Sequence, residues 1–187
     1  MRNRPFARCH FVAAFVAVIA AAQLSFPTAA PAQDEPKLIA DVADSNNLLP
    51  LLPEPPEGWT AEKAEGSTDD LGETKITTVH RDYQKGDAAD APTTSISILD
   101  SVANPEYVEM TTAGWKQTEN TPEGYTKPVE IAGNPGFETF ENDGKHGMLW
   151  LLVAKRYFLQ IDTTAQDPAA LQEWLKRVDL AKLAAVK

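Results

Sequence analysis

The fold is decided by residues 148–162, which read MLWLLVAKRYFLQID. Met148 to Val153 is apolar at every position, so it predicts a central strand that is buried on both faces. Lys155-Arg156 predicts a turn, and residues 157–162 then alternate between two faces with the period of a β-strand. Because the connection is short, we expect the two strands to lie side by side and antiparallel.

Further strands are predicted upstream of this pair. Lys75 to Tyr83 and Thr93 to Leu99 both alternate, and the loop between them contains Gly86, Asp87, Asp90 and Pro92, so they predict a hairpin. Val129 to Ala132 and Phe137 to Glu141 predict two more strands. The turn between these two is predicted at Gly133-Asn134-Pro135-Gly136, and Asn142-Asp143-Gly144 predicts the hairpin that leads into the central strand.

Two segments carry helix signals. Asn104-Pro105-Glu106 combines a capping residue, a first-turn proline and an acid, which predicts a helix to about Ala113. The second helix is predicted to begin with Asp167 as its cap and Pro168 at its first position. Its apolar stripe has helical spacing and continues towards the end of the sequence: Leu171, Trp174, Leu175, Val178, Leu180, Leu183 and Ala184.

The sequence therefore predicts an α+β fold with the order ββ-α-ββββ-α. Strands joined by tight turns favour a mostly antiparallel sheet, against which the two helices pack as an α/β sandwich. We expect a single domain over residues 58–187. Residues 33–57 are rich in proline and predict a connecting segment: residues 33–47 form a tether or loose helix, and Leu48 to Pro56 is an extended strap that lays its leucines on the domain.

The first 32 residues predict a secretory signal peptide. Arg2, Arg4 and Arg8 form a basic start, Phe11 to Ala22 is a short apolar run, and Ala30-Pro31-Ala32 is a cleavage signal. A membrane-spanning helix needs about 20 apolar residues, so this run is too short to be an anchor. We expect cleavage before Gln33 and a protein that works in a bacterial periplasm or outside the cell, with no further contact with the membrane.

Composition excludes several classes of function for the predicted mature chain. The predicted signal removes three of the 17 Lys and Arg residues and none of the 27 acids, so 14 positive and 27 negative charges remain. This excess argues against binding to nucleic acid or to anionic lipid. Cys9, the only cysteine, lies within the signal, so the mature chain has no disulfide, thiolate metal site or cysteine nucleophile.

Candidate chemistry is sparse. His80 and Asp82 share one strand face about 7 Å apart, a spacing that a metal or a His–carboxylate pair could use, although a solvated face explains it as well. His146 joins this pair only if its strand lies beside that of His80. No nucleophile elbow, phosphate loop, dinucleotide fingerprint, zinc-protease helix or calcium loop is present. We therefore assign no catalytic, cofactor-binding or metal-binding residue and expect no cofactor.

One aromatic residue is a candidate for binding. Trp115 follows the first predicted helix and could line a groove for a ligand or a partner strand, with a place at the edge of the core as the alternative. By contrast, Trp150 and Trp174 lie in the central strand and the helical stripe, so we expect both in the core.

Short pieces spread over most of the predicted mature chain carry a resemblance. They are Leu51-Leu52-Pro53, Pro56-Glu57-Gly58-Trp59, Arg81-Asp82-Tyr83, Ser97-Ile98-Leu99-Asp100, Arg156-Tyr157-Phe158-Leu159 and Val178-Asp179-Leu180-Ala181-Lys182-Leu183. Together they resemble small exported domains of proteobacteria to which no activity is assigned. The layout is also distantly similar to the PsbP-like α/β/α sandwich, whose members mostly assist other proteins, although a fold does not carry its function with it.

The sequence favours a non-enzymatic exported domain that binds or assists another component of the cell envelope, most simply a protein partner. Two alternatives stay open. One is a hydrolase or metal-binding protein that uses His80 and Asp82, with or without His146. The other is a structural envelope protein that has no small ligand.

Overall fold

The computed structural model describes residues 41–70, 72 and 74–187. The predicted signal peptide, including Cys9, and residues 33–40 of the predicted tether lie outside the described residues. Within the described part of the chain, no helix is both long enough and apolar enough to cross a membrane.

Nine antiparallel strands form one sheet in the described residues, in the order β1-β3-β4-β9-β8-β7-β6-β5, with β2 also paired to the outer edge of β3. The mostly antiparallel α+β class is thereby confirmed. The strands are β1 (Thr60–Ala61), β2 (Glu65–Asp70), β3 (Lys75–Gln84), β4 (Thr93–Asp100), β5 (Glu119–Thr121), β6 (Gly124–Ile131), β7 (Asn134–Glu141), β8 (His146–Val153) and β9 (Tyr157–Thr164).

The helices are short and are α1 (Ser45–Leu48), α2 (Pro105–Thr112), α3 (Ala169–Leu175) and α4 (Leu180–Ala185). Two 3-10 turns, Leu49–Leu51 and Asp143–Lys145, complete the described elements. The helix predicted at Asn104 is confirmed, since the Asn104 side chain accepts a hydrogen bond from the amide of Tyr107 at 3.0 Å.

The main core lies on one face of the sheet. Leu149, Leu151, Leu159 and Ile161 in β8 and β9 are at most 1% exposed, and they meet the apolar stripe of α3 and α4. The alternation predicted for residues 157–162 is therefore confirmed. Burying this continuous apolar surface is the main stabilising contribution to the fold.

A smaller core lies on the opposite face. Phe158 and Leu152 are buried there beneath α2 and the chain that follows it. The Phe158 ring packs edge-on against Tyr107 of α2 with centroids 5.5 Å apart, and against Trp115 at 5.9 Å. Only part of this second face is covered in this way.

The predicted order ββ-α-ββββ-α lacks five of the described elements: α1, β1, β2, β5 and the separate helix α4. The glycines and aspartates of residues 61–73 predict a loop, but this segment contains part of β1 and all of β2. Every residue of β2 is exposed, and its backbone pairing with β3 is joined by one hydrogen bond of 2.8 Å between the hydroxyls of Thr68 and Thr77, so no apolar alternation marks it. The short strand β5, likewise fully exposed, had no signal either.

The strap is not extended at its start. Ser45–Leu48 is helical and continues into the 3-10 turn, where Pro50 is tolerated because the first turn of a helix needs no amide donor from it. The expected burial of its leucines is confirmed for Leu48 and Leu52.

The single C-terminal helix is also corrected. It divides into α3 and α4 at Asp179, whose carboxylate accepts a hydrogen bond from the amide of Lys182 at 2.9 Å and so begins a new helix. Asp167 does not cap α3 with its side chain and instead forms an ion pair with Lys145 at 2.8 Å.

Candidate functional site

The second face of the sheet has a half that no described helix covers. In the half that α2 leaves uncovered, the strand residues are polar apart from Met148, and most are exposed or half-buried. We call this surface the open face and define it by Asp82, Ser95, Asp162, Met148, Thr139, Thr126 and Glu119, with the flanking residues His80, Ser97, Gln160, His146 and Glu141. The first group forms one row across the sheet, since each residue is the register partner of the next.

Charge is strongly one-sided on this surface. Side chains on one strand face recur at every second residue, and on the open face and its margins these positions hold acids but no Lys or Arg in any described strand. The acids are Glu65, Asp69, Asp82, Glu119, Glu130, Glu141 and Asp162. The strand lysines and arginines, Lys75, Arg81 and Lys127, all lie on the opposite face.

Two depressions open at the ends of the open face. The first, of about 410 Å³, is lined by Asp82, Ser95, Asp162 and neighbours from β1 and the end of β3. The second, of about 380 Å³, lies at the other end and is lined by Glu119, Glu141 and neighbours from β6 and β7. Each depression therefore contains two carboxylates of the open face.

The two histidines of the described chain both lie on this face but do not meet. His80 is in β3 and His146 is in β8, so strands β4 and β9 separate them. The Nε2 atom of His146 lies 3.1 Å from a carboxylate oxygen of Asp162. The predicted sharing of a strand face by His80 and Asp82 is confirmed, and both side chains are exposed.

Metal chemistry gains no support from this arrangement. Among the described residues, no group of three or more His, Cys, Asp or Glu side chains is placed to hold a metal ion. A metal site needs at least three such ligands at short distances. A metal site at His80, Asp82 and His146 would therefore need a further ligand from outside the described residues.

Trp115 does not line a groove. It is 9% exposed and belongs to the smaller core with Phe158, so the alternative of a place at the edge of the core is the correct one. Trp150, expected in the core, is only half-buried: its ring packs edge-on against Phe158 at 6.0 Å and forms the boundary between that core and the open face.

The remaining charged clusters are structural. Glu138 is 4% exposed and receives hydrogen bonds from Tyr125 at 2.7 Å and from Gln172 of α3 at 3.0 Å, with Lys127 Nζ at 2.9 Å. Burial, together with this bond to the carboxylate, raises the pKa of Tyr125. Because every partner is supplied from within the chain, this cluster fixes β6 and β7 to α3 and has no free group for a ligand.

The strap is held by a similar cluster. The guanidinium of Arg81 donates to Glu54 at 3.1 Å and to the Pro53 carbonyl oxygen at 3.1 Å, and the hydroxyl of Tyr83 donates to the same oxygen at 2.7 Å. The hydrogen bond from Arg81 holds the pKa of Glu54 below its ordinary value. Arg81 and Tyr83 point away from the open face. Their hydrogen bonds hold the strap against the sheet and so stabilise the fold.

Of the open-face carboxylates, sequence reasoning singled out Asp82 as the neighbour of His80 and missed Asp162, Glu141 and Glu119. The available signal was the strand alternation that puts Asp82, Glu141 and Asp162 on the polar side of their strands. Comparison with protein-family models, with curated proteins and with solved structures finds no match to this chain.

Proposed function

We propose that this chain is a non-enzymatic binding domain that is exported to the bacterial cell envelope and engages another component there through the open face. One observation carries the proposal. Among the described residues, half of one sheet face has no helix over it and is lined by polar side chains, while the other half and the opposite face each carry a packed core.

The shape of the open face favours a macromolecule over a small substrate. A site for a small molecule is usually one deep, mostly apolar pocket with a few converging polar groups. Here the two depressions are shallow, lie at opposite ends of the face and are rich in carboxylates and hydroxyls. A partner that lies along the face would reach both.

The boundary of the open face supplies an apolar contribution to binding. Met148 and Trp150 are half-buried and lie beside the polar rows. The indole N–H of Trp150 points to the sulfur of Met148 at 2.8 Å, so the two side chains form one apolar surface. Aromatic and methionine side chains are enriched where protein partners meet.

Export is the second part of the proposal and rests on the sequence of residues 1–32. Mass spectrometry of the exported protein should find a mature chain that begins at Gln33. A chain retained in the cytosol with Met1 to Ala32 attached would overturn this part.

Site-specific photo-crosslinking in the producing bacterium tests the binding function. A photoreactive amino acid is placed at Ser97 or Thr139 on the open face and, as the matched control, at the exposed residues Ala181 of α4 or Asp87. The proposal requires a discrete adduct at the open-face positions that the control positions lack. Adducts that are identical at all positions, or none on the open face, would overturn it and would favour a structural protein without a ligand.

A further inference from the structure

The two methionines of the described residues differ in their contact with solvent. Met110, on α2, is 72% exposed, and no other large hydrophobic side chain in this part of the chain is exposed. Met148, on β8, is half-buried. Met1, the third methionine of the sequence, lies in the predicted signal peptide. The predicted mature chain therefore has one methionine that is open to solvent and one that is partly shielded.

The geometry of α2 turns Met110 away from the sheet. The half-buried residues of this helix recur at helical spacing, and two of them, Tyr107 and Val108, pack against the smaller core. Met110 and its neighbour Glu109 lie on the opposite side of the helix and are exposed. Because the Met110 side chain buries little apolar surface, it contributes little to the stability of the fold.

The sulfur of Met148 is shielded in two ways. Its side chain is half-buried, and the sulfur accepts a hydrogen bond from the indole N–H of Trp150 at 2.8 Å. Oxidation of a thioether begins when a lone pair of the sulfur attacks the oxidant, so a lone pair that already accepts a hydrogen bond is less available for the reaction. The fold thus shields the sulfur of Met148 and leaves that of Met110 accessible.

We infer that Met110 is a site of reversible oxidation and that it reacts with peroxide before Met148 does. The sulfur of Met110 attacks one oxygen of hydrogen peroxide, the O–O bond breaks, and the S–O bond of methionine sulfoxide forms while the other oxygen leaves as water. The sulfur loses the electron pair that the peroxide gains. This inference is independent of the proposed binding function.

The position of Met110 makes its oxidation harmless to the fold. The polar sulfoxide forms where the side chain already faces water, so no buried group loses its contacts. Oxidation of Met148 would instead place a polar oxygen beside the indole of Trp150, on the apolar surface at the boundary of the open face. Early reaction at Met110 therefore takes up oxidant at a position where the added oxygen disturbs neither the core nor that surface.

The reverse reaction needs a partner with thiols. Reduction removes the sulfoxide oxygen as water while two thiols become one disulfide, which is the chemistry of methionine sulfoxide reductases. The predicted mature chain has no cysteine, so it cannot supply these thiols itself. The exposed side chain of Met110 is accessible to such an enzyme.

A time course of oxidation tests the inference. The exported chain is treated with hydrogen peroxide, and mass spectrometry of its peptides measures the sulfoxide at each methionine. In the folded chain, Met110 should react at least about fivefold faster than Met148, whereas in guanidinium-unfolded chain the two rates should agree within about twofold. Methionine sulfoxide reductase with dithiothreitol should then restore Met110.

Two variants assign the rates to these side chains. Met110→Leu should remove the fast reaction and leave the rate at Met148 unchanged. Trp150→Phe keeps an aromatic ring but removes the indole N–H, and it should speed oxidation of Met148 about threefold without changing the rate at Met110. The melting temperature of the chain oxidised at Met110 should lie within about 2 °C of that of the unoxidised chain.

Three results would overturn the inference. Equal rates at the two methionines of the folded chain would show that the fold does not select between them. A preference for Met110 that persists in the unfolded chain would assign the selection to local sequence instead. A sulfoxide at Met110 that the reductase leaves in place would exclude reversibility. None of these results bears on crosslinking at the open face, which tests the binding function separately.

Discussion

Arg156 forms a two-pronged ion pair with Asp100, whose side chain is completely buried. The guanidinium Nε donates to one carboxylate oxygen at 2.9 Å and Nη2 to the other at 2.6 Å. The same carboxylate accepts from the amide of Ala43 at 2.7 Å and from that of Val102 at 3.1 Å. The buried carboxylate of Asp100, at the end of β4, thus binds both Ala43 of the N-terminal segment and Arg156 of the β8–β9 turn to the sheet.

Loss of the guanidinium should strongly destabilise the fold. Arg156→Met keeps the apolar stem but leaves the Asp100 charge buried without its counter-ion, so we expect a loss of about 3 kcal/mol in the free energy of unfolding. Lys176→Met breaks an ion pair with Glu173 that is exposed on both sides and should cost less than about 0.5 kcal/mol. Urea unfolding measures both.

A double variant makes this prediction specific. Asp100→Asn together with Arg156→Met removes the uncompensated charge, so its cost should be clearly smaller than the sum of the two single losses. Additive losses would show that the two side chains contribute independently to stability. That result would contradict a stabilising role for the ion pair between them.

Tyr83 makes stability depend on alkaline pH. Burial raises the pKa of Tyr83 to about 12, against about 10 for a tyrosine in an unfolded chain. The folded state therefore holds the phenolic proton more tightly, and this contribution is complete below pH 10 and lost as the pH rises from 10 to 12. The loss should amount to about 2–3 kcal/mol.

The variant Tyr83→Phe isolates that contribution. At neutral pH it should cost about 1 kcal/mol, because the Pro53 carbonyl oxygen loses one of its two donors. Between pH 10 and 12 its unfolding free energy should fall less steeply than that of the unchanged chain, measured by denaturant titrations at each pH. Parallel curves would contradict the assignment of the slope to this phenol, since Tyr125 and Tyr157 also have raised pKa values.

The predictable parts of the fold are those in which burial imposes a pattern. Residues 148–162 and Lys75–Tyr83 were predicted as strands because one or both faces are packed, and packing selects apolar residues at fixed intervals. The strand β2 is exposed throughout and is held by its backbone pairing with β3 and by the Thr68–Thr77 hydrogen bond, so burial imposes no apolar pattern there. The break at Asp179 was hidden because the apolar stripe continues across it.

The turn predicted at Gly133-Asn134-Pro135-Gly136 shows a different kind of error. Glycine and proline usually mark turns, but here the turn is Ala132-Gly133, and Asn134 to Gly136 already pair with β6. Gly136 is required by close packing: a Cβ atom there would clash with the carbonyl oxygen of Trp150 and the side chain of Leu151. Sequence alone does not distinguish a glycine that bends the chain from one that makes room.

Gly136→Ala should therefore be costly even though its backbone is extended. The added methyl group must displace the neighbouring strand β8, and we expect a loss of about 2–3 kcal/mol in the free energy of unfolding. Gly114→Ala is the control, because a Cβ atom at Gly114 meets nothing within 4 Å and should change stability by less than about 0.5 kcal/mol. Equal effects of the two substitutions would show that the close approach is relieved without cost.

The candidate site depends on strand order, which short-range patterns do not determine. The open face brings together acids from β3, β9, β7 and β5 because β4 pairs with β9, as in the register of Ser95 with Asp162. This pairing joins residues far apart in the sequence across the whole β5–β8 segment. Asp82, Glu119 and Glu141 are each exposed and Asp162 is half-buried beside His146, and only the strand pairing brings all four to one face.

His80 distinguishes the binding proposal from the metal-binding and hydrolase alternative. Since β4 and β9 separate His80 from His146, His80 and Asp82 supply too few ligands for a metal. We expect calorimetric titration with zinc to show no saturable binding tighter than about 1 mM, and His80→Ala to change the unfolding free energy by less than about 0.5 kcal/mol. His146→Ala is the matched control, as it removes a histidine that already pairs with Asp162. Micromolar zinc affinity or hydrolytic turnover that His80→Ala abolishes, with stability and the His146→Ala variant unaffected, would replace the binding domain with a site centred on His80.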